Sequence, residues 1–354
     1  MWRATSIGLK KPRSHPASRL FRSTSAVAAI GLLAVGCSSQ TVSAPTRSQS
    51  ARPKTSPPAT SPARTQTVTF SSSMAAFKLP EAVSRPTVFA ALEGLLVVGG
   101  LIAADTTMQA ILRVDLTQGT VNPAGQLPVP VHDAAGAVVT GRDLIFGGGA
   151  TTVTSAVQDV TPGASPQVIS HLPQPRADLV AISDSNVGYV LGGFDGAQGS
   201  TTILRTQDGK TFVVVGTLPV AVRYPAVAAS AGSIWLLFGG EHDGKQVTDV
   251  QRVDLATGHG SVAGHLPTPL AHADAFTLGG TVFFAGGRIG TAATSDVMRF
   301  DPVKVSLTAA GHLPAARSDF GVAVVAGNAY LVGGESPKPV DTVVQGRAQT
   351  GGTP

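Results

Sequence analysis

From residue 67 onward the chain alternates short apolar runs with small or polar breaks, and the runs recur in one phase. LLVV, LIF, YVL, IWLLF, VFFA and AYLV each follow a first apolar run across a turn signal. Those signals are Glu93-Gly94, Gly141 to Asp143, Ser183 to Asn186, Ala231-Gly232, Gly279-Gly280 and Gly327-Asn328. Runs of this length, apolar almost throughout, predict strands packed on both faces. Two markers bracket every pair. Leu-Pro begins at Leu79, Leu127, Leu172, Leu218, Leu266 and Leu313, at intervals of 48, 45, 46, 48 and 47 residues. Gly-Gly begins at Gly99, Gly147, Gly192, Gly239, Gly286 and Gly333, at intervals of 48, 45, 47, 47 and 47. Each Gly-Gly is followed by a loop and a more polar third strand: AILRVDL, AVQDV, TILRT, DVQRVDL, DVMRFDP and DTVVQ. A turn and a short fourth strand then lead to the next Leu-Pro.

A four-stranded unit repeating with a period near that of a propeller blade predicts an all-β fold closing radially, which leaves no long exposed edge. The expected architecture is a six-bladed β-propeller of four-stranded antiparallel blades over residues 67–347. The sixth copy supplies three strands, near residues 320–325, 329–332 and 341–344. Thr67-Val68-Thr69-Phe70 is expected to complete it and tie the ring shut, with residues 348–354 left as a disordered tail.

The paired glycines, the R-V-D or R-F-D third strand and the Leu-Pro-x-x-Arg opening of Leu313 to Arg317 resemble the kelch repeat, in the superfamily of the galactose oxidase central domain. The aromatic that the family carries in its fourth strand is missing here, and Phe212 is the nearest substitute. The resemblance implies that the loops entering the first strands and the loops after Gly-Gly share one face of the disc. It also brings an enzymatic alternative, because kelch-like propellers of the bacterial envelope include sialic-acid mutarotases. The copper oxidases sharing these repeats fit poorly. They need a tyrosine–cysteine crosslink, and the single cysteine, Cys37, is expected to be spent on a lipid anchor, which leaves Tyr189, Tyr224 and Tyr330 without a cysteine partner.

Composition changes the picture mainly at the N-terminus. The formal charge of +5 is misleading, because residues 1–66 hold ten basic residues and no acid. The remainder has 16 basic against 21 acidic residues, which argues against nucleic acid as a partner. Within residues 1–36, a basic region precedes the apolar run TSAVAAIGLLAV, a signal-peptide pattern too short to span a bilayer. The ending LLAVGC resembles the bacterial lipobox, which implies lipidation of Cys37; an ordinary secretory peptide with an incidental cysteine is the alternative. Residues 37–66, rich in Ser, Thr and Pro, are expected to be a disordered tether. The expected location is extracytoplasmic, anchored to the bacterial membrane through Cys37, with the chain a monomer.

Six residues after each Leu of Leu-Pro stand Arg85, Asp133, Asp178, Tyr224, His272 and Asp319. His132, Arg176, Arg223 and Arg317 come one or two positions earlier. All ten are expected around the mouth of the central channel. Arginine grips carboxylates through its planar fork and Asp accepts hydroxyl hydrogen bonds, which suits a glycan, a small ligand or an envelope protein. The competing expectation is that Arg176–Asp178 and Arg317–Asp319 pair with each other or with neighbouring blades and hold the ring together. Asp195, Glu241, His242, Asp243, Arg288 and Glu335, after the glycines, are expected as solvated loop charges. For catalysis, His272, Arg176, Asp178 and Asp319 are the candidate acid–base groups.

No metal site or cofactor is expected. His171, His265 and His312 all precede Leu-Pro, so they fall at one repeated position in three separate copies. No HExxH, P-loop or GxSxG pattern occurs. Thr206 to Phe212 resembles a shortened Asp-box hairpin and is expected to be a turn device. The primary expectation is a non-catalytic binding module.

Overall fold

A computed structural model describes residues 67–230 and 234–351. The expected signal peptide and tether, Cys37 and the expected turn at Ala231-Gly232 lie outside the described residues. Among the described residues there is no α-helix, only one short 3-10 turn at Ala103–Asp105. The rest is organised as four-stranded antiparallel blades of a propeller.

Six four-stranded sheets follow one another along the chain. Their innermost strands are Thr87–Ala91, Ala135–Val139, Ala177–Asp184, Ala226–Ser230, Asp274–Leu278 and Gly321–Val325. Each innermost strand neighbours that of the next sheet, and Gly321–Val325 lies against Thr87–Ala91. Burial falls from the second strand outward. Gly94–Val98 is buried throughout, and Thr281–Ala285 and Asn328–Val332 bury all but their first residue. In the third strands Ala110–Asp115 and Asp249–Asp254, Arg113 and Arg252 break an otherwise buried run. Thr120–Gln126, a fourth strand, is mostly exposed.

The last sheet joins the two ends of the described chain. Its order is Gly321–Val325, Asn328–Val332, Val340–Gly351 and then Thr67–Val83. The N-terminal strand, expected over residues 67–70, is therefore much longer, and the first Leu-Pro lies inside it and not in a loop. It starts in regular register, Thr67 opposite Gly351, and becomes irregular between Met74 and Val83. The expected boundary at residue 347 is also corrected: Ala348 pairs with Phe70, so the strand continues to Gly351. Polar residues here are held by a partner that local pattern does not reveal.

Apolar faces meet between sheets in six buried clusters. One lies between the last sheet and the first, where Leu79, Tyr330 and Val332 pack on Leu95 and Val97. Another, between the fifth and last sheets, holds Phe70 against Phe276 and Phe283 at 5.6 and 5.5 Å between ring centroids. The other four clusters occupy the remaining junctions between successive sheets.

The Gly-Gly pair is what lets adjacent sheets approach. Gly147 has φ +61, and a Cβ there would stand 2.2 Å from the Arg176 carbonyl, on the segment entering the next sheet. The N–H of Gly148 donates to that same carbonyl at 2.7 Å. Equivalent bonds recur around the molecule, among them Gly100 to Val131, Gly287 to Arg317 and Gly334 to Val83. Only a residue without a side chain serves at the first position.

A β-bulge recurs near the start of the third strand in five of the six sheets, where the register shifts at Ile111/Leu112, Val157/Gln158, Ile203/Leu204, Val250/Gln251 and Val297/Met298. Bulges of this kind increase the local twist. In two sheets the displaced residue is a fully buried glutamine. Gln158 exchanges two hydrogen bonds with the Val129 backbone, and Gln251 does the same with Val220, all at 2.9–3.0 Å. Each replaces a missing backbone partner for a loop just after Leu-Pro. The Asp of R-V-D and R-F-D has a related local role. Asp115, Asp254 and Asp301 each accept two backbone N–H groups of the following turn. Asp208 does likewise for Lys210 and Thr211, so the Thr206 to Phe212 hairpin is a turn. Phe212 packs edge-on against Phe146 of the preceding sheet, with centroids 6.2 Å apart.

Candidate ligand-binding site

The chain enters each innermost strand through one residue in the left-handed region. These are Arg85, Asp133, Asp178, Tyr224, His272 and Asp319, with φ between 50° and 60°. None is glycine, and each such conformation costs of the order of 1–3 kcal/mol. Backbone hydrogen bonds link them at five of the six junctions. The N–H of Arg85 donates to Asp319 O (2.6 Å), Asp178 to Asp133 (2.9 Å), Tyr224 to Asp178 (3.1 Å), His272 to Tyr224 (3.2 Å) and Asp319 to His272 (3.0 Å). The strain is thus repeated in a collar whose side chains converge on a cavity of about 310 Å³ bounded by the innermost strands.

The collar is a web of ion pairs between sheets. Arg85 Nη1 donates to Asp133 Oδ2 at 2.9 Å, while its Nε lies 3.4 Å from Asp319 Oδ1 and 3.8 Å from Glu335 Oε1. Its guanidinium also stands 5.7 Å from the centre of the Tyr224 ring. Arg223 Nε donates to Asp178 Oδ2 at 2.6 Å, and Nη2 donates to the Tyr224 hydroxyl at 3.2 Å. His272 stacks on Tyr224 with centroids 4.1 Å apart. Its Nδ1 is 2.6 Å from Asp319 Oδ1 and its Nε2 is 3.3 Å from Glu241 Oε1. Arg288 reaches Asp319 Oδ2 at 2.7 Å and also meets Glu335. His132 approaches Asp133 at 3.8 Å, with Nδ1 on the Thr107 hydroxyl at 2.9 Å.

These contacts set the proton affinities. Burial pushes the Asp133 carboxyl up to about 7; Arg85 opposes this, and Asp178 and Asp319 reinforce it. Burial acts in the same direction on Asp319, but the His272 hydrogen bond with Arg85 and Arg288 outweighs it and holds the carboxyl below its usual range. Burial, then Asp133 and Asp178, make the Tyr224 phenol harder to ionise. Burial and the Arg85 charge lower His132.

Two expected members are elsewhere. Arg176 and Arg317 are only 3% and 1% exposed, inside their own sheets. Arg317 Nη1 donates to Gly333 O (2.8 Å) and Thr342 O (2.9 Å), and Nη2 donates to Thr342 Oγ1 (2.6 Å). Arg176 repeats the clamp on Gly192 and Thr202. The expected pairs Arg176–Asp178 and Arg317–Asp319 therefore do not form, and the carboxylates pair with neighbouring sheets instead. The Arg of Leu-Pro-x-x-Arg ties its own second and third strands together, which removes Arg176 from the candidate acid–base set.

The post-glycine charges divide. Glu241, Arg288 and Glu335 immediately follow Gly-Gly, and each pairs through its backbone with the residue before a collar position: Arg223, Ala271 and Ser318. That pairing delivers each charge to the next sheet, Glu241 to His272, Arg288 to Asp319 and Glu335 towards Arg85. They belong to the collar, contrary to the expectation of solvated loop charges. A charged residue directly after Gly-Gly in three successive copies was the available signal. Asp195 accepts two N–H groups of its own turn, His242 bonds to the Ala221 carbonyl, and Asp243 is exposed.

Asp274, two residues past His272, also lines the cavity and carried no signal in the sequence. The three repeated histidines are exposed; His265 and His312 each sit 3.2 Å from the first Asp of a third strand, Asp249 and Asp296. Among the described residues no group of three or more His, Cys, Asp or Glu side chains is placed to hold a metal.

No family model matches the chain, and no curated protein matches its sequence. Among solved structures, 591 chains match, so the architecture is shared too widely to carry a specific activity. One is the structure of YjhT, with a TM-score of 0.65 and 16% identity over 77% of this chain and 99% of that one. At that identity the likeness concerns the fold, and the chain is similar to YjhT as one β-propeller is to another.

Proposed function

We propose that the chain is a kelch-like, closed six-bladed propeller that binds a small ligand without transforming it, at the collared end of its central channel. The observation carrying this reading is the convergence of six strained, charged or aromatic residues, one from each sheet, on a single cavity. Strain kept at equivalent positions in every sheet is expensive unless the side chains it aims have a use. A few convergent polar groups over an otherwise apolar concavity is the general form of a ligand site. The lipobox-like LLAVGC and the Ser/Thr/Pro-rich segment support presentation outside the membrane on a lipid at Cys37.

The full chain, screened by thermal shift and ligand-observed NMR against neutral, anionic and cationic sugars, should bind at least one. Arg85→Gln should weaken that binding about tenfold or more, since it removes the group that spans the collar. Absence of binding across the panel, or binding indifferent to Arg85→Gln, overturns the reading.

A second reading, a sialic-acid mutarotase, is favoured by His272 between two carboxylates at the cavity and by the resemblance of the repeats to kelch-like propellers, which include such enzymes. Accelerated exchange between the anomers of N-acetylneuraminate, read by NMR, would select it over the binding module.

A further inference from the structure

Below the collar the cavity wall is made of small and apolar side chains such as Val88, Val180, Ile182, Val227 and Val322. Asp274 is the one titratable group among these wall residues. Its Oδ1 accepts the Ala275 N–H at 2.8 Å, and Oδ2 has no hydrogen-bond partner among the described residues. Among the described residues no guanidinium, ammonium or imidazole is paired with it, although every collar carboxylate has such a partner. The collar itself is short of positive charge. Arg85, Arg223 and Arg288, with His272, face Asp133, Asp178, Asp319, Glu241 and Glu335, and all three guanidiniums are engaged by carboxylates.

We propose that Asp274 is a ligand anchor in the channel wall, and that the ligand it takes is a small molecule carrying a protonated amino group on a largely apolar carbon skeleton. This deepens the binding-module reading and rests on it. The ammonium supplies the positive charge that the cavity lacks, and it gives Oδ2 the hydrogen-bond donor that no protein group provides. The skeleton lies against the valine and isoleucine wall. A cavity of about 310 Å³ is at the lower end of the range for ligand sites, which restricts the skeleton to a single ring or a short chain. An anionic ligand meets the unpartnered Asp274 carboxyl and no free guanidinium, so the same geometry works against a sugar acid.

The test is calorimetric titration of the full chain near neutral pH with charge series on two scaffolds. One is benzylamine, benzyl alcohol and benzoate, and the other is glucosamine, N-acetylglucosamine and N-acetylneuraminate. In at least one series the ammonium member should bind about tenfold or more tighter than its neutral and anionic counterparts, and Asp274→Asn should abolish that preference. Asp274→Asn keeps the side chain's shape, and an unchanged or raised melting temperature shows that a loss of binding is not a loss of fold. The inference is overturned if neutral or carboxylate members bind as well as the amines in both series. It is equally overturned if Asp274→Asn binds amines like the parent protein, or if no amine binds. Binding of a carboxylate or neutral sugar that disappears in Arg85→Gln leaves the ligand site standing and removes only the ammonium.

Discussion

At the scale of the residue, the decisive feature is where charge is buried. Among the described residues Arg317 has no counter-ion, and burial holds its guanidinium down to about 10. It remains because its fork bonds two carbonyls and a hydroxyl of its own second and third strands. Arg317→Ala should destabilise the protein by about 2–4 kcal/mol in urea unfolding. Arg317→Lys should recover little of it, because a single ammonium cannot reproduce the fork. Asp274 presents the opposite case, a carboxyl that burial pushes up to about 7 with only the Ala275 N–H against it. From its ordinary value up to that point the folded state binds the proton and the unfolded state does not, so stability falls as pH rises through the window. Asp133 shifts the same way. The melting temperature should therefore be higher at pH 5 than at pH 8, and Asp274→Asn should raise it by a few degrees at pH 8 and barely at pH 5. Equal melting temperatures for parent and variant at pH 8 would contradict the half-buried carboxyl without a counter-ion.

At the scale of the element, the apolar runs and their turn signals mark the inner strands well, because burial on both faces leaves a continuous hydrophobic trace. Counting six residues from each Leu of Leu-Pro also finds the six collar residues, since every copy enters its inner strand the same way. The outer strands are less legible. Thr67–Val83 contains Ser71-Ser72-Ser73 and a proline, and only its pairing with Val340–Gly351 makes it one strand. Phe70 is its anchor, 5% exposed between Phe276 and Phe283. Phe70→Ala should cost about 3–5 kcal/mol, the usual loss for a buried aromatic ring.

At the scale of the whole molecule, each sheet is packed on two neighbours, and the cluster around Leu79, Leu95 and Val332 joins the last to the first. A chain bonded in this way has no free terminal sheet from which to fray. Calorimetry of the full chain should show one cooperative unfolding transition for the propeller, and Phe70→Ala should move that transition as a unit. A separate early transition for the last sheet would contradict mutual support around the ring.

The sequence by itself determined the periodic elements: strand positions, turn signals and the paired glycines follow from hydrophobic burial and backbone conformation, which are local and repeat with the chain. It also placed the collar positions, because they keep a constant distance from Leu-Pro. Only the tertiary structure decided which charges meet. Arg176 and Arg317 turned inward to carbonyls and hydroxyls of their own sheets, while Glu241, Arg288 and Glu335 were carried to the next sheet by backbone pairing. Asp274 became a solitary carboxyl only when six inner strands surrounded it. Pairing of charges depends on distance through space and on desolvation, and neither quantity is written in the spacing of residues along a chain.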